Sequence, residues 1–271
     1  MTDKAMPRRL LTRRRTLGLI GAAGVAGLAA AVGCNSSDNT ATATATRSAS
    51  ATGTAGATAT SAATSAATAT ATASAQPVIN CAAVPALTEG PYFVDELLNR
   101  SDIRTDPTTG AASPGTPLDI AVRVFNGACS PLAGAHVDIW HCDAAGKYSD
   151  ESANNTVGQK FLRGYQVTDE IGAVKFTTVY PGWYMGRAVH IHFKIRTYDG
   201  SSQTSAFTSQ FFFDDAQTDA TYQQTPYSSR GSRDTRNSGD SIYGQSAGNT
   251  VLTLTPSGNG YASSFGIGMH I

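Results

Sequence analysis

From residue 78 onward, short runs of β-branched and aromatic residues recur, separated by Gly, Asp, Asn and Pro. In "VHIHFKI", residues 189–195, every second residue is apolar, the pattern of a strand with one buried face. Helical periodicity is hard to find. The predicted strands are 118–125, 135–142, 164–169, 173–179, 189–198, 208–215 and 250–256. Many short strands with turns between them predict an all-β fold, a single antiparallel β-sandwich. The polar stretch 216–249 is predicted to be irregular and to act as a cover or functional loop.

Residues 1–34 have the pattern of an export signal. Six basic side chains precede residue 16 against the single acid Asp3, and the apolar run "LGLIGAAGVAGLAAAVG" follows. A basic start before an apolar run is typical of export. The stretch "TRRRTLG" resembles a twin-arginine signal, and an ordinary secretory signal is the alternative. Because Gly and Ala dominate the apolar run, a cleaved signal is favoured over a permanent membrane span.

Cys34 ends this region in the sequence "AVGC". A Cys after small residues at the end of an apolar run resembles a bacterial lipoprotein cleavage site, which predicts lipidation of Cys34. Ala31 stands where such sites usually carry Leu, so plain cleavage nearby is the alternative. The chain is therefore expected to be exported, as a cell-surface lipoprotein or as a secreted protein.

Residues 35–77 consist almost entirely of Ala, Thr, Ser and Gly. Such a segment lacks the large apolar groups that offset the loss of chain entropy on folding, about 1–2 kcal/mol per residue. It is predicted to be a disordered linker, with O-glycosylation as an open question. Residues 78–271 remain, long enough to bury the core of one domain.

The charge balance of that domain restricts its partners. From residue 77 onward there are 13 Lys and Arg and 18 Asp and Glu, a net charge of −5, so the neutrality of the whole chain comes from its leader. A mildly acidic domain is a poor binder of nucleic acids. Membrane association is expected only through a lipid anchor, and either a monomer or a dimer is compatible with the sequence.

The domain has three cysteines, Cys81, Cys129 and Cys142. In an exported protein, paired cysteines are the usual state. Cys81 and Cys129 both lie in loop-like segments, whereas Cys142 lies within a predicted strand. The sequence thus favours a disulfide between Cys81 and Cys129.

A candidate metal site lies in "WYMGRAVHIH", residues 183–192. His190 and His192 share one face of a predicted strand, which makes a pair of imidazole ligands. Tyr184 lies in the turn before that strand, and Tyr148 follows the strand "HVDIWHC". Phenols have a pKa near 10 and bind most divalent ions poorly, but a trivalent hard ion such as Fe(III) stabilises the phenolate. Two phenolates and two imidazoles would leave Fe(III) one net positive charge.

Four stretches together resemble the intradiol ring-cleavage dioxygenases, most closely the compact, exported branch. They are "LTEGPYFVDELLNRSDI", "HVDIWHCDAAGKYSD", "FLRGYQVTDEIGAVKFTTVYPGWYMGRAVHIHFKI" and "TSQFFF". The order of the blocks G-x-Y-S, P-G-x-Y and R-x-x-H-x-H is specific to that family, and the resemblance spans about residues 81–271. The family fold is a β-sandwich, in agreement with the strand pattern.

The resemblance implies one non-haem Fe(III) per chain as the only cofactor. The ligands that it implies are Tyr148, Tyr184, His190 and His192. Catalytic roles fall to Tyr184, to Arg187 as a stabiliser of negative charge, and to Gln210. Substrate contacts fall to Thr88, Pro91, Arg187 and Gln210. The implied reaction cleaves a catechol-type ring with O2 between its two hydroxylated carbons, giving a cis,cis-muconate-type diacid.

Two departures from the cytosolic members of that family affect these expectations. The low-complexity linker stands where those members carry a helical dimerisation segment, so the dimer mode is open. Only five residues separate Tyr184 from His190, which predicts a different pocket mouth. Two other functions remain alternatives: a cupin-like Fe(II) or copper oxidase, which would need a further His and Glu, and a surface module that binds aromatics or glycans without the ferric site.

Overall fold

The computed structural model describes residues 80–269, in which eight strands form two sheets. The strands are β1 (Pro117–Phe125), β2 (His136–Trp140), β3 (Arg163–Val167), β4 (Ala173–Val179), β5 (His190–Asp199), β6 (Ser202–Phe212), β7 (Thr255–Ser257) and β8 (Gly260–Gly268). The helices are α1 (Asp215–Thr221) and α2 (Ser241–Ser246), with 3-10 turns at Ser152–Asn154, Tyr227–Arg230 and Asn237–Gly239. The leader 1–34, the linker 35–77, Cys34 and His270 lie outside the described residues.

The two sheets have the strand orders β4-β1-β8-β7 and β3-β2-β5-β6. Their facing sides enclose one hydrophobic core, so the predicted all-β sandwich is confirmed. One pairing departs from the expected antiparallel pattern, because β8 lies parallel to β1 with Tyr261 opposite Leu118. Parallel neighbours need a long connection, and here most of the domain lies between the two strands.

Alternation along the strands builds this core. In β1 and β5, every second side chain points into the sandwich, and these residues are Leu118, Ile120, Val122, Val124, Ile191, Phe193 and Ile195. Each fully buried aliphatic side chain stabilises the fold by roughly 1.5–3 kcal/mol. The same alternation places His190 and His192 on the opposite side of β5.

That opposite side of β5 is also buried, since two chain segments cover it. The N-terminal cover segment, residues 84–93, runs beside β6, where the Leu87 N–H donates to the Thr208 carbonyl over 2.9 Å. The C-terminal cover segment, residues 213–252, returns to the end of β6, where Phe212 bridges Val251. This second segment was predicted to be irregular over 216–249. It contains α1 and α2 instead.

Two strand predictions were wrong in their boundaries. The predicted strand 250–256 contributes only the start of the three-residue β7, and β8 was missed because its sequence, "GYASSFGIG", is rich in Gly and Ser. The strand predicted at 208–215 begins earlier, at Ser202, and ends at Phe212. Its polar first half pairs with β5 through backbone groups, which the side-chain pattern does not report.

A disulfide joins Cys81 to Cys129, with their Cα atoms 5.6 Å apart. This is the pairing that the sequence favours, and it ties the chain ahead of the N-terminal cover segment to the loop after β1. The third cysteine, Cys142, is buried, and its thiol donates to the Gly182 carbonyl over 3.3 Å. Within residues 80–269, no helix has both the length and the apolar character needed to cross a membrane.

Candidate active site

Two imidazoles and two phenols converge on one point beside β5. His190 Nε2 lies 3.0 Å from His192 Nε2, 3.1 Å from Tyr184 Oη and 3.4 Å from Tyr148 Oη. The histidines come from one strand. The tyrosines come from the loops after β2 and after β4, so three separate segments build the cluster. The structure therefore brings together all four ligands that the family resemblance implies.

The surroundings of the two imidazoles differ. The Nδ1 of His190 lies 2.7 Å from the Ala188 carbonyl, a contact that places the proton on Nδ1 and leaves the Nε2 lone pair free toward the cluster. The ring of His192 stacks on Trp140, with centroids 4.9 Å apart. Its Nδ1 is buried without a hydrogen-bond partner among residues 80–269. Packing on Trp140, rather than a hydrogen bond at Nδ1, therefore orients the second imidazole.

Burial keeps all four groups neutral in the absence of a cation. It lowers the pKa of His190 to about 3 and that of His192 well below its ordinary value. Burial also raises the pKa of Tyr184 to about 12 and that of Tyr148 well above 10, and the positive charge of Arg187 opposes both increases. An ion that binds here meets two imidazole lone pairs and must release two phenol protons.

Such a donor set fits a hard, highly charged cation. Within the described chain, no group of three or more His, Cys, Asp or Glu residues is placed to hold a metal, so a metal site here depends on the phenols. Phenolates are poor ligands for most divalent ions, whereas the charge of a trivalent ion is large enough to ionise them. One such ion would leave a single net positive charge, which an ionised ligand from solution can neutralise.

The two tyrosine loops lie against each other at their backbones. The Gly182 N–H donates to the Asp143 carbonyl over 3.1 Å. A Cβ on Gly146 would stand 2.2 Å from the Trp183 carbonyl oxygen. Arg230 lies over the indole of Trp183, 4.5 Å from its centroid, and donates to the Trp183 carbonyl over 2.6 Å. Glycine and a half-buried cation thus hold the two phenols at a fixed separation.

Replacing Gly146 by alanine is expected to destabilise the protein more than the same change at Gly134. Both glycines have a positive φ, +80° and +75°, but a Cβ at Gly134 meets nothing within 4 Å. Left-handed strain of about 1–2 kcal/mol is common to both variants. The clash at Gly146 adds roughly 1–3 kcal/mol. Urea denaturation of the two variants measures this difference, and equal losses would show that the tyrosine loops can separate freely.

Arg187 lies beside the cluster, where two other segments hold its guanidinium. Its Nη2 donates to Gln210 Oε1 over 2.5 Å, and its Nε donates to Asp240 Oδ2 over 2.9 Å. The amide of Gln210, fully buried on β6 opposite His192, in turn donates to the Thr88 carbonyl over 2.8 Å. Arg187, Gln210 and Thr88 are therefore one connected chain of hydrogen bonds at the edge of the site.

The N-terminal cover segment closes one side of the cluster. Gly90 lies against the ring of His192, and the next residue, Pro91, is exposed. Tyr92 stacks on Tyr148, with ring centroids 4.3 Å apart, and meets Tyr184 edge-on at 6.2 Å. Pro91 therefore lies on the segment that borders the site, between two residues that contact His192 and Tyr148.

Sequence reasoning missed Tyr92 and Asp240. Tyr92 lies in the stretch "LTEGPYFVDELLNRSDI", but the chain has ten tyrosines and nothing in the sequence around Tyr92 sets it apart from the others. Asp240 lies in the stretch predicted to be irregular. An Asp directly before "SIYG" is a helix N-cap pattern, and this signal could have located α2 but not the contact with Arg187.

The β-sandwich brings two tyrosines and two histidines to one point, and comparison with known proteins identifies the family. The family model described as Dioxygenase matches residues 88–225. An intradiol ring-cleavage dioxygenase from Tetranychus urticae is 30% identical in sequence, with a TM-score of 0.61 over 70% of this chain and 95% of that one. This chain belongs to the intradiol ring-cleavage dioxygenase family.

Two further relatives agree with this assignment. The dioxygenase domain of a dioxygenase–carbohydrate-binding fusion from Streptomyces sp. SirexAA-E is 26% identical, with a TM-score of 0.53 over 70% of this chain and 99% of that domain. A chlorocatechol 1,2-dioxygenase from Pseudomonas sp. (strain P51) is 33% identical over 150 residues, which are 48% of this chain and 55% of that protein. The chain thus spans about half the length of the curated relatives that it matches.

Proposed function

We propose that this protein is an intradiol dioxygenase that uses one Fe(III) per chain to cleave catechol-type rings with O2. The observation that carries the proposal is the convergence of two phenols and a second imidazole on His190: Tyr148 Oη, Tyr184 Oη and His192 Nε2 lie 3.0–3.4 Å from its Nε2. The curated relatives are named chlorocatechol 1,2-dioxygenases, which supports an ortho-dihydroxylated aromatic ring as the substrate class. The product would be a cis,cis-muconate-type diacid.

The reaction needs no organic cofactor and no external reductant. A bound ferric ion would supply a charged centre that chelates the two ionised hydroxyls of the substrate and draws electron density from the ring. Both atoms of O2 enter the product, because the carbon–carbon bond between the hydroxylated carbons breaks and each carbon becomes a carboxyl group. The two hydroxyl protons must therefore be accepted by the protein or by water.

The two tyrosines are placed for different parts of this task. Tyr148 is 1% exposed and is held under Tyr92, so it is suited to remain a fixed ligand. Tyr184 is half-buried and is followed by the exposed Met185, so its phenol oxygen can leave the cluster and accept a substrate proton. We assign Tyr184 as the tyrosine that exchanges with the substrate.

Arg187 supplies the positive charge next to the reacting ring. Because Asp240 and Gln210 hold two of its nitrogens, the guanidinium cannot turn away when negative charge develops on the substrate. A preorganised cation in a site of low polarity stabilises such charge more strongly than water does. The amide of Gln210 connects the same network to the Thr88 carbonyl in the N-terminal cover segment.

The visible absorption spectrum of the full chain, purified with iron, tests this proposal. A broad band from phenolate-to-Fe(III) charge transfer is expected, and catechol added without oxygen should shift it to longer wavelength. Admitting air should then restore the original band as the diacid forms and one O2 is consumed per ring. A colourless protein after ferric loading, or a coloured protein that leaves catechol intact in air, would contradict the proposal.

We also propose that the chain is exported and anchored by a lipid on Cys34. The basic leader, its apolar run and the small residues before Cys34 support this, and the Cys81–Cys129 disulfide is typical of an oxidising compartment. Fractionation of expressing cells is expected to place the wild-type chain with the membrane and the Cys34→Ser variant in the soluble exported fraction. Recovery of both chains in the soluble fraction would indicate plain cleavage instead.

A further inference from the structure

We propose that Asp240 is a positioning residue of the active site, which holds the guanidinium of Arg187. The inference rests on the proposed function, because it assigns to Asp240 a role in ring cleavage. Asp240 lies in the C-terminal cover segment, 53 residues from Arg187 along the chain. The segment that sequence patterns describe as irregular thus supplies a functional contact.

One carboxylate oxygen of Asp240 makes both contacts. Its Oδ2 accepts the Arg187 Nε–H over 2.9 Å and the Ala188 N–H over 2.8 Å. The Ala188 carbonyl is the group next to Nδ1 of His190, at 2.7 Å. The backbone of Ala188 therefore connects the oxygen that holds the Arg187 guanidinium to the strand end that carries His190.

The charge of Asp240 has little access to solvent. Its side chain is 1% exposed and that of Arg187 is 16% exposed. A buried carboxylate is costly unless a cation and hydrogen bonds compensate it, and Arg187 is the cation that contacts it. Nε and Nη2 of Arg187 donate to Asp240 and Gln210. Within the described residues, Nη1 makes no hydrogen bond. The pair of acceptors therefore leaves one edge of the guanidinium for the substrate.

The other oxygen of Asp240 anchors α2. Its Oδ1 accepts the N–H groups of Ile242 and Tyr243, over 2.7 Å and 3.3 Å. These two residues pack on Leu87, Ala188 and Phe212. Helix α2 thus covers the strand end beside His190, and Asp240 connects this cover to Arg187. A loss of helix capping must consequently be separated from a loss of positioning in any test.

Asp214 offers the matched control. It caps α1 as Asp240 caps α2, accepting the Gln217 N–H over 2.9 Å, but its side chain is exposed and makes no contact with the active site. We expect Asp240→Asn to lower kcat by about 10–100-fold, the usual effect of losing a partner of an active-site group. KM is expected to stay near the wild-type value, since the lost interaction acts in the transition state. Asp214→Asn should retain wild-type kcat.

A double-mutant cycle shows whether Asp240 acts through Arg187. In an Arg187→Ala background, Asp240→Asn is expected to change kcat by less than about two-fold, because coupled residues are not additive. The visible band of the iron-loaded variants reports the ligand set, and we expect Asp240→Asn to leave its position unchanged. Melting temperatures of all four proteins report the loss of capping separately.

Three results would overturn the inference: equal kcat in Asp240→Asn and Asp214→Asn, an undiminished effect of Asp240→Asn in the Arg187→Ala background, or a shifted visible band. If Asp240→Asn does not fold, Asp240→Glu is tested instead, and Asp214→Glu is its control. The longer side chain displaces the carboxylate, so an unchanged kcat in Asp240→Glu would likewise contradict positioning. A wild-type protein that cleaves no catechol-type ring would contradict the proposed function instead, a result distinguishable from the others because it does not depend on any variant.

Discussion

Replacing Tyr148 by phenylalanine is expected to abolish ring cleavage while leaving the fold intact. The substitution removes only the hydroxyl, so the stacking of Tyr92 on the ring, with centroids 4.3 Å apart, can persist. The lost oxygen is one of the four donor atoms, two oxygens and two nitrogens, that converge on the proposed ferric site. Removing an outer partner of a metal ligand costs about 10–100-fold, and removing the ligand itself is expected to cost more. Oxygen consumption with catechol and the bound iron content measure the two effects.

Tyr180→Phe is the matched control for this variant. Tyr180 is as deeply buried as Tyr148, and its hydroxyl lies 2.7 Å from Thr218 Oγ1, away from the cluster. It should retain activity and the visible band, whereas Tyr148→Phe should lose activity and most of the band intensity. A Tyr148→Phe protein with wild-type colour and turnover would exclude Tyr148 from the ligand set and leave three donor groups at the site.

Three of the four members of the cluster lie in local patterns that the sequence shows. The alternation in β5 places both imidazoles on one face whatever the register of the sheet. Tyr184 lies six residues before His190, which is close enough for a turn to bring it back. Tyr148 is harder to place, since its loop joins the others only through the pairing of β2 with β5, where Trp140 is opposite His192. Its assignment therefore depends on the family resemblance.

What covers the cluster cannot be predicted from local patterns. Gln210 reaches the site because β6 pairs with β5 in one register, and Asp240 reaches it through α2 in a stretch of mostly polar residues. Both contacts join residues far apart in the chain. A polar residue in such a stretch has the same sequence signature whether it faces water or a buried guanidinium. Only the tertiary structure distinguishes Asp240 from Asp214.

The parallel pairing of β8 with β1 could not be predicted from local sequence patterns either. The first strand has strong alternation, but β8 carries Gly and Ser at many of its positions and packs only part of its length into the core. Its place in the sheet is fixed by backbone pairing along eight residues of β1. Hydrophobic periodicity therefore predicts the strands whose side chains build the core. It is least informative for a strand such as β8, whose position is fixed by backbone pairing.

Replacing Arg187 by alanine is expected to lower kcat by about 10²–10³-fold, the typical cost of losing one preorganised electrostatic group. The guanidinium offers no lone pair to a metal, so iron content and the resting visible band should stay close to those of the wild type. The free enzyme also loses the partner of Asp240, whose carboxylate is then buried without its cation. We therefore expect a lower melting temperature as well.

Arg104→Ala is the control for this last variant, because Arg104 pairs with Asp102 at the surface, where both side chains are at least 40% exposed. Exposed ion pairs contribute about 0–1 kcal/mol, so neither turnover nor stability should change much. Two stopped-flow experiments separate the remaining possibilities. Mixing the enzyme with catechol without oxygen records formation of the complex, and mixing that complex with oxygenated buffer records its decay. With Arg187→Ala, the complex should form normally and decay slowly, because the arginine acts on charge that develops after binding. Slow formation with normal decay would instead make Arg187 a residue for substrate entry.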